Sequence, residues 1–221
     1  MGKELGTKLQ TLNIKRYDMR AIQKPAEDEF PAYSHIYMDL MADDGRVLEY
    51  LKDSPDEIEE LVYSLPEEKL YYRYQAGKWT IKEILVHLID DERIFSYRAL
   101  RYARNDATPL HGFEQDDYAV YSKANERSLK SIFEEYRAVR KATITLFENL
   151  PEEAFLRSGM SVGNRNKRTV RALAYHLAGH ERRHINIIKE RYLSPGKVLK
   201  ETAHWAGNGP LSPSPQLGPD Q

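Results

Sequence analysis

The strongest constraint on how this chain can fold is a predicted helix over residues 169–193 whose apolar face carries two histidines. At about 100° per residue, His180 and His184 fall in the middle of a strip roughly 80° wide that is otherwise apolar. Two buried imidazoles are unfavourable unless each finds a polar partner, and side chains four residues apart on a helix can share one. A metal ion would satisfy both rings. The apolar members of the strip are Leu173, Leu177 and Ile188.

A third ligand is expected from a facing helix, because two histidines on one helix hold a metal ion poorly. A capping box that begins at Thr80 opens a predicted helix running to about residue 104. His87 lies on the flank of the apolar stripe of this helix. Asp91, one turn further on, could orient a ligand through a hydrogen bond or join the coordination sphere. The predicted metal ligands are therefore His87, His180 and His184.

The other polar residues near these helices are expected to have simpler roles. His176 falls about 40° to the side of His180, where contact with solvent is the first expectation and ligation the alternative. Arginine or tyrosine residues near the predicted loop 106–117 would line a pocket. Isolated histidines are expected in loops or on the surface; they are His35, His111 and His204. A row of arginines is expected to face solvent, although one could meet an anionic substrate; they are Arg93, Arg98, Arg101 and Arg104.

The composition limits the chemistry available to such a site. The chain of 221 residues has no cysteine, so a metal must be held by histidine, aspartate or glutamate. Lys and Arg number 33 against 34 Asp and Glu, which gives no electrostatic reason to expect a nucleic-acid partner. No apolar run approaches the roughly 20 residues that span a bilayer. Residues 1–20 also lack the apolar core of a secretory signal, so we expect a cytoplasmic protein without a membrane partner.

Four principal segments with helical periodicity, and no convincing strand pattern, predict an all-α fold. Joined by loops, such helices form a four-helix bundle. No linker or internal repeat divides the middle of the chain, so we expect one domain. The predicted divisions are an N-terminal extension (1–30), the bundle (31–194) and an irregular tail rich in proline and glycine (195–221).

Local signals set the predicted limits of the individual helices. Residues 35–65 are helical in pattern but interrupted at 53–57, where Ser54 can cap a new helix and Pro55 fits its first position. The third long helix is expected over about 123–149. The segments predicted as loops are 106–117 and 159–168.

The run from His180 to His184 also matches H-E-x-x-H, the signature of zinc proteases. In those enzymes the glutamate is the general base and a third ligand follows downstream. Ile187 and Glu190 stand where the metzincin pattern requires glycine and histidine. Glu181 lies about 100° around the helix from His180, so we expect it to support a ligand or to be exposed. The spacing therefore favours a metal-binding helix of another kind over a protease.

Several motifs together resemble the DinB (DNA-damage-inducible) family of helix-bundle metalloproteins, which is unrelated to the polymerase of the same name. The likeness covers about residues 33–193. It implies a four-helix bundle, often dimeric, with one divalent metal held by a histidine triad at His87, His180 and His184, whereas His176 matches no motif position. The motifs that carry the resemblance are Lys78–Leu88, Asp91–Phe95, Arg98–Arg101, Pro109–Phe113 and Ala178–His184.

The resemblance also implies a class of function. Some DinB proteins are enzymes that use a low-molecular-weight thiol in S-transfer or isomerisation. We therefore predict a divalent-metal-dependent enzyme that activates water or such a thiol toward a small-molecule substrate, with a homodimer as the expected assembly. Zinc or nickel is the expected ion, and iron or manganese the alternative, since three imidazoles discriminate poorly. Two other hypotheses stay open, a non-enzymatic metal-binding stress module and a metal-dependent hydrolase.

Overall fold

The computed structural model describes residues 19–106, 108–162 and 166–193. In these ranges the chain forms α1 (His35–Met38), α2 (Val47–Tyr63), α3 (Glu67–Leu70), α4 (Ile81–Ala103), α5 (Gln115–Tyr121), α6 (Leu129–Glu148) and α7 (Val170–Ile187). Two strands, β1 (Ser158–Met160) and β2 (Lys167–Thr169), pair antiparallel. Short 3₁₀ turns lie at Glu27–Glu29, Ala32–Ser34, Ala124–Glu126 and Glu152–Leu156, and a π-helical turn at Ile188–Tyr192.

The four longest helices, α2, α4, α6 and α7, pack together as a bundle. α4 lies against both α6 and α7, and α2 lies against the same two helices. Each helix contributes fully buried apolar side chains to the interior. Burial of these faces drives the association of helices that would be marginal in isolation. The predicted all-α four-helix bundle is confirmed. Representative interior residues are Leu51, Ile89, Phe147 and Leu173.

The start of α4 follows the predicted capping box. The Thr80 hydroxyl accepts a hydrogen bond from the Glu83 backbone N–H at 3.1 Å, and the Glu83 carboxylate accepts one from the Thr80 backbone N–H at 2.7 Å. These bonds satisfy two donors that a helix terminus otherwise leaves unpaired. The helix then continues to Ala103, one residue before the predicted end, and carries His87 and Asp91 into the interior.

The predicted interruption at 53–57 is wrong, because α2 runs without a break through Pro55. Proline has no N–H, so the carbonyl of Leu51 loses its normal partner in the helix. Here the Ser54 hydroxyl donates to that carbonyl at 3.3 Å, and the Arg140 guanidinium of α6 donates to it as well. A contact from a distant helix therefore satisfies the freed carbonyl, which local sequence cannot reveal.

Two segments predicted as loops contain regular structure. The predicted loop 106–117 includes the start of α5, and the range 159–168 includes two residues of β1 and two of β2. Leu110 extends the hairpin region through backbone hydrogen bonds, donating to Met160 at 3.1 Å and accepting from Val162 at 2.9 Å. The strands have three residues each, too few to show an alternating pattern, and the expectation of no strands was wrong for that reason.

The third long helix begins later than predicted. α6 starts at Leu129 because the Ser128 hydroxyl caps it, accepting from the Ser131 backbone N–H at 3.1 Å. The preceding residues form a 3₁₀ turn whose N-cap, Lys123, has a φ of 51°. That left-handed conformation cannot continue a right-handed helix.

Residues 19–30 of the predicted N-terminal extension pack onto the bundle. Ile22 is buried, its N–H donates to the Gly45 carbonyl at 2.9 Å, and its carbonyl accepts from the Tyr175 hydroxyl at 2.9 Å. Glu29 accepts a hydrogen bond from the Thr169 hydroxyl at 2.7 Å. Residues 1–18 and the predicted tail lie outside the described residues. No helix in the described part of the chain is both long enough and apolar enough to cross a membrane.

Replacing Gly179 with alanine is expected to destabilise the protein by about 1–3 kcal/mol, the usual cost of overpacking. A Cβ atom at this position would lie 2.4 Å from the backbone oxygen of Tyr37, which belongs to α1. The clash outweighs the helix-propensity gain of about 1 kcal/mol that alanine normally brings over glycine. Urea denaturation measures the effect. Gly112→Ala is the control, because nothing lies within 4 Å of a Cβ there; equal stability of both variants would contradict the prediction.

Candidate metal centre

The three predicted ligands meet in the interior of the bundle. α4 supplies His87, and α7 supplies His180 and His184 from successive turns. The Nε2 atom of His180 lies 3.1 Å from the Nε2 atom of His87 and 3.1 Å from that of His184. One nitrogen from each ring falls within 4.8 Å of the others, a spacing that allows a single metal ion to bind all three.

The chemistry of the three rings fits a metal ion. Burial lowers the pKa of each imidazole, so the rings are neutral at neutral pH. A neutral imidazole has one N–H and one lone pair, and Nε2 of His180 faces two other Nε2 atoms at once. Hydrogen bonds among the three atoms cannot satisfy all of them, whereas a cation among three lone pairs can.

Asp91 stands behind the triad, on the side of His180 away from the cluster of Nε2 atoms. Its Oδ2 atom lies 3.3 Å from Nδ1 of His180. Burial by itself raises the pKa of Asp91, but His180 and His176 outweigh it and hold the pKa below its usual range. A carboxylate at Nδ1 favours the tautomer whose Nε2 lone pair points into the cluster.

His176 was expected to contact solvent, and that expectation is wrong. Its side chain is buried, stacked on Phe95 with ring centroids 4.0 Å apart and packed edge-on against Tyr37 at 4.9 Å. Nε2 of His176 lies 3.6 Å from Oδ2 of Asp91, so this carboxylate stands between two histidines. The spacing of four from His180 hinted at this position. The aromatic rings that cover it come from α4 and α1 and could not be placed from sequence.

Glu181 is buried, so the alternative that it is exposed is wrong. Its carboxylate accepts hydrogen bonds from the Tyr136 hydroxyl and from the Arg140 guanidinium, the latter at 2.6 Å. Arg140 also binds Glu92 at 2.9 Å and the Ser54 hydroxyl at 2.8 Å. We call Arg140, Glu92, Glu181 and Tyr136 the arginine cluster. The Glu181 carboxylate is occupied by hydrogen bonds within this cluster. This arrangement argues against a role as the general base of a zinc protease.

A partly open cavity of about 150 Å³ reaches His180 and His184. Tyr37 and Trp79 form part of its wall, and the Trp79 ring also packs on His87 with centroids 4.6 Å apart. The segment 106–117 contributes Gln115 to the described lining. The tyrosine and arginine side chains of the wall come from elsewhere in the chain; they are Tyr37, Tyr74, Tyr192 and Arg183.

The other predicted histidines and arginines that the structure describes are not part of the cavity lining. His111 is exposed, and its backbone carbonyl accepts a hydrogen bond from Arg98 at 3.1 Å. Arg98 is buried, so the expectation that it faces solvent is wrong, whereas Arg93 and Arg104 are exposed as expected. His35 lies 3.3 Å from Asp39 near the surface. His204 lies outside the described residues.

Comparison with known proteins places this architecture in context. A protein of Oceanobacillus iheyensis named "Putative metal-dependent hydrolase OB0413" is 29% identical over 146 residues, which cover 64% of this chain and 81% of that protein. The solved structure of YfiT from Bacillus subtilis superposes with a TM-score of 0.62 at 15% identity, over 67% of this chain and 85% of YfiT. YfiT is described as a probable metal-dependent hydrolase with an unusual four-helix bundle topology. At this identity the likeness to YfiT shows the fold alone.

The family assignment rests on a sequence match that covers most of the bundle. The model of the DinB superfamily matches residues 50–188, a span that contains α4, α6, α7 and the three histidines of the candidate centre. The fold, the position of the histidines and this match agree with the resemblance carried by the motifs. The chain belongs to the DinB superfamily.

Proposed function

We propose that the protein is a metal-dependent enzyme in which His87, His180 and His184 bind one divalent metal ion. The convergence of the three imidazoles beside a cavity carries this proposal. Three protein ligands leave a coordination position for water or substrate, as in catalytic zinc sites. The name of the Oceanobacillus iheyensis relative, "Putative metal-dependent hydrolase OB0413", supports a metal-dependent reaction. The size of the cavity fits a small-molecule substrate.

The residues around the triad have separate roles in this proposal. When bound, a divalent metal supplies Lewis-acid activation of water or of a small thiol. Asp91 holds the Nδ1 proton of His180 and so keeps the Nε2 lone pair directed at the metal. Burial raises the pKa of Tyr37 to about 12, so its phenol in the cavity wall stays protonated and can donate a hydrogen bond to the substrate. Water as the nucleophile makes the enzyme a hydrolase, and a thiol makes it a transferase or isomerase.

Two features favour an enzyme over a metal-binding stress module. A structural site is normally closed by four protein ligands. The cluster found among the described residues offers three, and two of its members border the cavity. Zinc or nickel is the proposed ion, with iron or manganese as alternatives. The homodimer and the cytoplasmic location stay predictions.

Cobalt substitution tests whether the site keeps an exchangeable position. Elemental analysis of the purified protein first gives the metal stoichiometry, which we expect to be one per chain. The protein is then stripped with a chelator and reloaded with Co²⁺, whose visible absorption reports its ligands. Titration with azide, or with cysteine as a small thiol, should change the spectrum. A spectrum that responds to neither would contradict the enzyme proposal and favour the closed module.

The same preparations identify the nucleophile. Hydrolysis of p-nitrophenyl acetate by the metal-loaded protein should exceed that of the stripped protein if water is activated. A rate that rises with cysteine only when metal is present would instead assign the thiol as the nucleophile. If the folded, metal-loaded protein shows neither metal-dependent hydrolysis nor a metal-dependent response to cysteine, the result would argue against a metal-dependent enzyme that activates water or a thiol.

A further inference from the structure

Arg183 has an unusual position among the charged residues of α7. It is half-buried and lines the cavity beside His180 and His184. No carboxylate within the described ranges forms an ion pair or hydrogen bond with it. The neighbouring residue Arg182, in contrast, donates a hydrogen bond to the Glu57 carboxylate at 2.9 Å. A partly desolvated guanidinium without a carboxylate partner is unfavourable, and an anion in the cavity would compensate it.

The charge of the cavity wall is one-sided. Arg183 and Lys78 both line it, and no aspartate or glutamate belongs to the lining within the described part of the chain. The guanidinium is close enough for its charge to act on Tyr37 and His184. A metal ion at the triad would add further positive charge. The Asp91 carboxylate acts on the same two groups from behind the triad, but it does not line the cavity. The charged side chains that an entering ligand would meet at the wall are therefore cationic, which favours an anion there.

The rest of the wall is apolar or aromatic. Ile36, Trp79 and Ile187 provide apolar surface, and Tyr74 and Tyr192 add aromatic rings. A volume of about 150 Å³ matches cavities that hold one benzene-sized ligand. The occupant that fits is compact, with an apolar or aromatic body and an anionic end.

We propose that the cavity binds a small organic carboxylate, with Arg183 as the residue that recognises the carboxylate group. This inference rests on the proposed function, because the bound molecule would be the substrate held beside the metal. A planar guanidinium matches a carboxylate through two parallel hydrogen bonds. Arg183 is thus a specificity-determining residue. It holds one end of the substrate and leaves the other end next to the triad.

Calorimetry with benzoate tests the assignment, using benzamide as the neutral analogue and inorganic phosphate as a different anion. The wild type should bind benzoate more tightly than either of them. Arg183→Gln should weaken benzoate binding by about ten- to a hundred-fold, as expected for loss of a charge-assisted hydrogen bond. Arg183→Lys should fall between, since lysine keeps the charge but loses the planar fork. Arg182→Gln is the matched control and should bind benzoate as the wild type does.

The measurements are made on metal-loaded and on metal-free protein, so that failure of this inference is separate from failure of the proposed function. Metal content should be the same in Arg183→Gln and wild type. Benzoate binding that needs metal but ignores the Arg183 substitution would overturn the inference, because the carboxylate would then be a metal ligand. Absence of benzoate binding, or equal binding of benzamide or phosphate, would overturn it too. A chain that binds no metal but binds benzoate through Arg183 would refute the metal proposal alone.

Discussion

Replacing His184 with alanine is expected to abolish stoichiometric metal binding. Its Nε2 atom lies 3.1 Å from that of His180, and its removal leaves two ligands, too few for a stable site. Metal that binds the folded state stabilises it by about 2.7 kcal/mol when its free concentration is 100 times Kd. The variant should lose this increment. Elemental analysis gives the stoichiometry, and thermal unfolding with and without metal gives the stabilisation.

His111→Ala is the control for that experiment, because His111 is exposed and lies outside the triad. It should keep the metal stoichiometry and the metal-dependent stabilisation of the wild type. An unchanged metal content in the folded His184→Ala variant would refute the assignment of this residue as a ligand.

Replacing Arg140 with methionine should lower the free energy of unfolding by about 3–5 kcal/mol, the range seen when one partner of a buried ion pair is removed. Burial lowers the pKa of Arg140, but Glu181, Tyr136 and Glu92 outweigh it and raise the pKa well above its ordinary value. The guanidinium is therefore charged. Without it, Glu92 and Glu181 would remain buried without a counter-ion, and the Leu51 carbonyl freed by Pro55 would lose a donor.

Two companion variants of the arginine cluster show whether the loss comes from buried charge. Arg137→Met, on the same helix, removes an arginine whose partners are exposed or half-exposed, and it should cost at most about 1 kcal/mol. The triple variant Arg140→Met, Glu92→Gln, Glu181→Gln removes all three charges and should recover part of the lost stability. Urea denaturation compares the variants. Equal losses for Arg140→Met and Arg137→Met would contradict the argument.

The parts of the fold that follow local rules were predictable. The capping box at Thr80 placed the start of α4, and helical periodicity placed α7 together with the π-helical turn that follows it. One error occurs where a distant contact overrides a local signal. Pro55 stays inside α2 because Arg140 of α6 reaches the Leu51 carbonyl.

The candidate site also contains some residues that could be predicted from local sequence and others that could not. His180 and His184 could be paired from their spacing, and His87 from its place on the flank of the apolar stripe of a second helix. Neither the burial of His176 nor the hydrogen bonds that Glu181 accepts from α6 could be predicted, because each depends on residues far away in sequence. Arg183 was not recognised from sequence as a cavity residue, since its neighbours in the run to His184 are also charged.

By itself, the sequence determined that the chain forms helices with apolar faces and that two of these helices bring histidines into the interior. Helical periodicity and capping are local properties, and the cost of burying imidazoles without partners requires that they meet. The sequence also offered Asp91 as a residue that could orient a ligand, but tertiary structure alone decided which ring it faces and which other polar groups lie nearby. The positions of Asp91 behind His180, of Glu181 in the arginine cluster and of Arg183 in the cavity wall depend on the packing of α1, α4, α6 and α7. That packing is set by the fit of many side chains at once, which no single segment encodes.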